Sequence, residues 1–106
     1  MATSFTKQPN DVLDYDVDMT DWFKSDPTDD INTVTYAIES LQEAIPTLEL
    51  GPVPHDEIVL IGSPALVFKA WIASGTVNTD YKITFLVTTE QARKKEIEMK
   101  IKVRDR

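Results

Sequence analysis

A chain of 106 residues can bury one hydrophobic core but not two, so a single domain is expected. Its net charge of −7 opposes nonspecific nucleic-acid binding, which draws affinity from Lys and Arg on phosphates, and no apolar run approaches the ~18 residues of a membrane span. With no cysteine there is no disulfide framework, thiolate nucleophile or cysteine metal site, so packing must hold the core.

Residues 1–10 place one aromatic, Phe5, among small and polar residues, and Pro9 discourages regular structure, so a flexible N-terminal arm is expected there. The opening stretch MATSFTKQPNDV has no apolar h-region, which points to a soluble protein made in a cytoplasm. From Asp11 to Phe23, Leu13 begins an alternation with Tyr15, Val17 and Met19 on one face and Asp14, Asp16 and Asp18 on the other, the pattern of a strand with an acidic solvent face. Counted as a calcium loop from Asp14, the run has Met19 where the motif needs Gly and Ser25 where it needs a bidentate Glu, so a solvated strand face is the better reading. Trp22 either covers a sheet edge with Phe23 or anchors an interface.

Ile31–Ile38 alternates Val34, Tyr36 and Ile38 inward against Thr33, Thr35 and Ala37 outward, a second strand. Residues 39–54 read less clearly: Ser40–Ile45 fits a short helical turn, Thr47–Leu50 a strand, and Pro46, Gly51, Pro52 and Pro54 interrupt both. Ile58–Ile61 is continuously apolar, as in a strand buried on both faces, and Gly62-Ser63-Pro64 ends it.

Leu66–Thr89 carries the strongest signal. Leu66, Phe68, Ala70 and Ile72 alternate before a polar turn, Ser74–Asp80, and Tyr81, Ile83, Phe85 and Val87 alternate after it. Gly75 and Asn78 supply the positive-φ positions that an abrupt reversal needs. Tyr81, immediately after the turn, has its hydroxyl beside the loop backbone, the arrangement of a tyrosine corner in two-sheet sandwiches. Trp71 falls on the face opposite Leu66, Phe68, Ala70 and Ile72, so either a bulge or edge position buries it or it contacts another chain. Residues 90–95 form a hairpin connection, and Glu96–Arg104 alternates Ile97, Met99, Ile101 and Val103 inward with charged residues outward, as in a final strand whose mixed charges guard a sheet edge.

These elements make an all-β fold: one immunoglobulin-like β-sandwich of about seven strands over residues 11–106, preceded by the arm at 1–10. Acidic residues crowd the N-terminal part (Asp11, Asp14, Asp16, Asp18, Asp21, Asp26, Asp29 and Asp30 against Lys24), and basic ones the C-terminal part. Such asymmetry either steers an oriented encounter with a partner or pairs neighbouring strands of one fold. The single histidine, His55, sits in a proline-bounded loop beside Asp56, and there is no phosphate loop, nucleophile elbow or paired metal-ligand spacing. No enzyme activity and no cofactor are expected, and function is assigned to surfaces.

Lys7-x-Pro9-x-Asp11-x-Leu13-Asp14-Tyr15, then Asp30-Ile31-x-Thr33-Val34-Thr35-Tyr36, Trp71-Ile72 before Ser74-Gly75-Thr76, Tyr81-Lys82-Ile83-Thr84, Thr88-Thr89-x-x-x-Arg93 and Ile101-x-Val103-Arg104 together resemble the small tailed-bacteriophage fiber-tail adaptors. The resemblance runs in order over nearly the whole chain. Ala92 stands where the family has Gly before the Arg, Asn78 stands at the corner Gly, and Glu39–Ile61 shows little likeness. The resemblance implies a virion structural protein with an immunoglobulin-like fold, placed where tail or capsid proteins meet fibers. On that reading the partners are other tail proteins and the tail fiber, met by several copies around a symmetric tail, and Phe5, Tyr15, Trp22 and Trp71 are the candidate contact residues. A capsid or tail-tube decoration protein is the alternative. A carbohydrate-binding sandwich, with Trp71 or Trp22 as stacking platform, is a more distant one.

Overall fold

Alternating apolar residues build two facing β-sheets. The computed structural model describes residues 3–40 and 42–105, in chain order β1 (Thr3–Lys7), β2 (Leu13–Asp18), a helical turn α1 (Thr20–Phe23), β3 (Ile31–Ser40), β4 (Leu48–Leu50), β5 (Ile58–Ile61), β6 (Val67–Ser74), β7 (Thr79–Thr89) and β8 (Lys94–Val103). One sheet has the order β1-β8-β7-β3. In the other, β2 lies along one side of β6, and β5 and β4 follow each other along its far side, β5 against Val67–Ala70 and β4 against Ile72–Ser74. Together they form an all-β sandwich.

The period-two pattern sets which side chains meet between the sheets. Phe68, Ala70 and Ile72 of β6 face Ile83, Phe85 and Val87 of β7 and Ile101 and Val103 of β8, and none of these eight retains exposed surface. Phe68 and Phe85 cross edge to face with centroids 5.1 Å apart, a geometry worth about 0.5–1.5 kcal/mol beyond burial.

Several elements differ from expectation, each for a local reason. Residues 3–7, expected in a flexible arm, are a strand: β1 pairs in parallel with β8, from Thr3 opposite Met99 to Lys7 opposite Val103. The backbone groups along β8 need partners, and β1 supplies them. Strand β8 is therefore an interior strand, and its charges line a solvent face instead of guarding an edge. The first alternation stops at Asp18, whose carboxylate accepts from the backbone N–H (2.9 Å) and hydroxyl (2.5 Å) of Thr20 and turns the chain into α1. Residues 42–45 contain no helical turn, and Leu41 of the expected Ser40–Ile45 turn lies outside the described residues. Strand β5 is a short outer strand and is not buried on both faces, with Leu60 39% and Ile61 37% exposed.

The β6–β7 turn shows how loops brace the sandwich. Ser74, Gly75 and Asn78 have φ of 64°, 95° and 62°. A Cβ on Gly75 would come 2.8 Å from Val103 Cγ2, so a larger residue there meets both strain and a clash. Tyr81 is buried with its hydroxyl under this turn, where it accepts from the Thr76 N–H (2.9 Å) and donates to Glu43 Oε1 (2.5 Å). Ser40 Oγ accepts from the N–H groups of Gln42 (3.2 Å) and Glu43 (3.0 Å), which turns the β3–β4 connection so that Glu43 can reach across. Hydrogen bonds from Thr76 and Tyr81, aided by Thr47 and opposed by burial, hold the Glu43 carboxyl at about 2. Tyr81→Phe removes the acceptor of a loop N–H and should lower stability by about 1 kcal/mol, read as a shifted urea midpoint at constant slope. An unchanged midpoint would show that the hydroxyl contributes nothing.

Candidate partner-binding surfaces

The four aromatic candidates do not converge on one patch. Phe5 of β1 and Tyr15 of β2 belong to different sheets, and their rings meet with centroids 4.7 Å apart and planes at 45°. Both are half-buried against the core, so they close the side of the sandwich where β1 and β2 run past each other. Burial, with a contribution from Asp11, raises the Tyr15 phenol above its usual range. Lys7 finishes this closure. Its side chain is buried, and Nζ donates to the carbonyls of Gln8 (2.7 Å), Pro9 (3.4 Å) and Ser74 (2.6 Å), the last at the end of β6 in the opposite sheet. Burial lowers the Lys7 ammonium below the usual lysine range, and Asp11 draws it part of the way back.

Trp22 lies at one end of the sandwich, on α1. It packs edge to face on Phe23 at 4.9 Å, and the Arg93 guanidinium sits 4.4 Å from its ring centroid. Arg93 comes from the β7–β8 turn, where Ala92 takes a φ of 64°, the left-handed conformation that Gly adopts most easily. Arg93 Nε donates to Asp29 Oδ2 at 2.8 Å, and the N–H groups of Asp30 and Gln91 each donate to Oδ1 at 3.0 Å. Burial alone would raise the Asp29 carboxyl, but hydrogen bonds from Thr89, Arg93, Gln91 and Asp30 outweigh it and hold it at about 2. Trp22 is thus a lid over an ion pair that fastens the α1–β3 loop to the β7–β8 turn.

Trp71 is on the outer face of the second sheet. No bulge interrupts β6, and His55 covers the indole instead, stacked at 3.6 Å with planes 9° apart. One ring face is therefore occupied. On the same outer face Lys69 Nζ lies 2.8 Å from Asp14 and 3.7 Å from Asp16, so an ammonium already sits between the two carboxylates. The hydrogen bond to Lys69 lowers Asp14, and the same bond raises Lys69.

The opposite side of the sandwich, where β3 runs past β5, is held differently. Val34, Tyr36 and Ile38 point inward but stay half-buried, and a groove of about 460 Å³ lies between Val34, Thr35 and Tyr36 on one side and Asp56, Glu57 and Ile58 on the other. The Tyr36 hydroxyl donates to the Glu57 carboxylate across it, and burial together with that carboxylate pushes the phenol up to about 12.

A sequence model of the family described as podophage GP4 fiber-tail adaptor protein gp77 matches residues 7–102, from the end of β1 into β8. The chain belongs to this fiber-tail adaptor family. No curated protein matches it. The matched span holds the whole Lys7, Asp29–Arg93 and Tyr81–Glu43 apparatus, so in this adaptor the polar groups that join the two sheets and their turns lie within the shared region. Sequence reasoning missed Lys7, Glu43 and Asp29, because a charge in a polar stretch that is spent on a distant turn or strand leaves no periodic signal. The weak sign at Lys7 was its place two residues after Phe5, on the same strand face.

Two outcomes follow from these placements. Phe5→Ala should destabilise by about 2 kcal/mol, half of a full core aromatic truncation, whereas Trp71→Ala on the outer face should cost under about 1 kcal/mol. Equal losses in a denaturant titration would contradict the assignment of Phe5 to the seam. Asp29 has a folded pKa of about 2 against an ordinary 3.8. Its contribution is present in full above 3.8 and disappears as pH falls through about 2, because the unfolded chain takes up the proton first. The slope of stability against pH in that interval should therefore flatten in Asp29→Asn, as followed by thermal melts at a series of pH values.

Proposed function

We propose that this protein is the adaptor by which tail fibers attach to the tail of a podophage virion, carried in several copies around the tail axis. The family match over residues 7–102 carries this reading. Its surfaces support it, since a small sandwich whose polar clusters are spent on bracing turns and seams offers its neighbours faces and edges. Multiple copies around a symmetric tail convert modest individual contacts into durable attachment, because each later contact forms at high effective concentration.

We also read the sandwich as immunoglobulin-like. Strands β3, β7 and β8 adjoin in the order of the C, F and G strands of that fold, and β2, β6 and the β4/β5 pair in the order B, E and D. After partial disruption of virions, the chain should sediment with fiber and tail proteins, as identified by mass spectrometry of gradient fractions. Sedimentation with empty capsid shells alone would overturn the adaptor reading in favour of a decoration role.

A further inference from the structure

A sandwich of this kind exposes strand edges, and most of those here carry features that discourage a foreign strand. Strand β1 has five residues and runs into Pro9, and β2 has six and displays Asp14, Asp16 and Asp18. Strands β4 and β5 have three and four residues. Strand β3 is different. It has ten residues, INTVTYAIES, pairs with β7 on one side only, contains no proline, glycine or lysine, and carries a single charged side chain, Glu39. In an antiparallel pair alternate residues aim N–H and C=O away from the partner strand, so beyond Ile31, whose N–H donates to the Ala65 carbonyl at 2.8 Å, the free side of β3 presents a row of backbone groups to water.

Beside that row lies the groove between β3 and β5. A strand added to β3 would run about 4.8 Å away, with every second side chain turned toward Val34, Tyr36 and Ile58. The charged residues lining the groove are Asp56 and Glu57, both exposed, with no lysine or arginine among the lining residues. A second copy of this chain would bring the same acidic rim and a further net charge of −7 to the contact. Charge therefore selects against self-pairing and for a basic partner.

We infer that β3 is a docking edge that receives an extended basic segment of a partner protein as an added strand, its inward side chains apolar and cationic in turn, the apolar ones seated against Val34 and Ile58 and the cationic ones against Asp56 and Glu57. This rests on the adaptor reading and specifies how such an adaptor holds its neighbour: backbone pairing supplies affinity and the groove supplies register.

The test uses amide hydrogen exchange of the full chain with a decapeptide in which valine and lysine take turns at every second position with threonine between them, so that both share one strand face, and with a counterpart carrying glutamate in place of lysine. With the lysine peptide at roughly ten times its Kd, outward-facing amides of β3 should exchange on the order of tenfold more slowly, by mass action on a site occupied only when bound. The glutamate peptide should leave them unchanged, and Asp56→Lys/Glu57→Lys should reverse the preference. Protection that appears on β2 or the outer face of the second sheet, or no protection at all, overturns the proposal. So does equal protection by both peptides. The two readings fail separately: a chain that sediments with tails but shows no β3 protection loses the edge and keeps the adaptor role, and a chain protected at β3 but found only with capsids does the reverse.

Discussion

The Lys7 ammonium holds the structure together at the point where the two sheets would otherwise part. A buried charge is costly unless its donors are matched, and Lys7 meets that cost with three backbone carbonyls, two on its own segment and one at Ser74 in the other sheet. Phe5 and Tyr15 lie alongside and exclude water from the same seam. With β1 fixed in this way, β8 becomes an interior strand, and Ile101 and Val103 lose their last exposure.

A sandwich has two long sides, and only one of them is closed like this. At the other, a Tyr36–Glu57 hydrogen bond spans a groove and the Ile31 N–H donates to the Ala65 carbonyl at one end, while Val34, Tyr36 and Ile38 remain half-buried. Nothing in the chemistry of β3 explains that openness as an economy, because Val34, Tyr36 and Ile38 are large enough to be worth burying. The asymmetry has meaning if the remaining burial comes from outside the chain. Closure of one side by a buried lysine and an aromatic pair leaves the other free to vary its occupancy without loosening the fold.

Much of the architecture was legible because it rests on periodicity. Strands β3, β6, β7 and β8 alternate cleanly, and the structure buries the faces that alternation selects, with Phe68, Ala70, Ile72, Ile83, Phe85 and Val87 among the most enclosed side chains. What escaped was long-range pairing. Thr3–Lys7 is short and mostly polar, and its status as a strand is conferred by β8, far away in sequence, which no local pattern reports. The same holds for Glu43, Asp29 and Arg93: each satisfies a turn distant in the chain, so hydrogen-bond geometry reveals it and hydropathy does not. Ile58–Ile61 misled in the other direction, since a continuous apolar run suggested an interior strand and instead forms part of an open seam.

The aromatic residues carry the same lesson into function. Trp and Tyr are enriched where proteins bind one another, which makes Phe5, Tyr15, Trp22 and Trp71 natural candidates on sequence alone. Each turns out to have a neighbour within the chain: Phe5 has Tyr15, Trp22 has Phe23 and Arg93, and Trp71 has His55. A side chain already engaged on a ring face has less to gain from a partner, because its apolar area is partly removed from water before binding begins. The edge proposed for docking offers instead main-chain groups along β3, which every sequence possesses and which carry no compositional signature. In a small domain whose large residues are needed to close its own seams, the edge proposed for attachment is one of backbone, and on that proposal the short acidic groove beside it sets specificity.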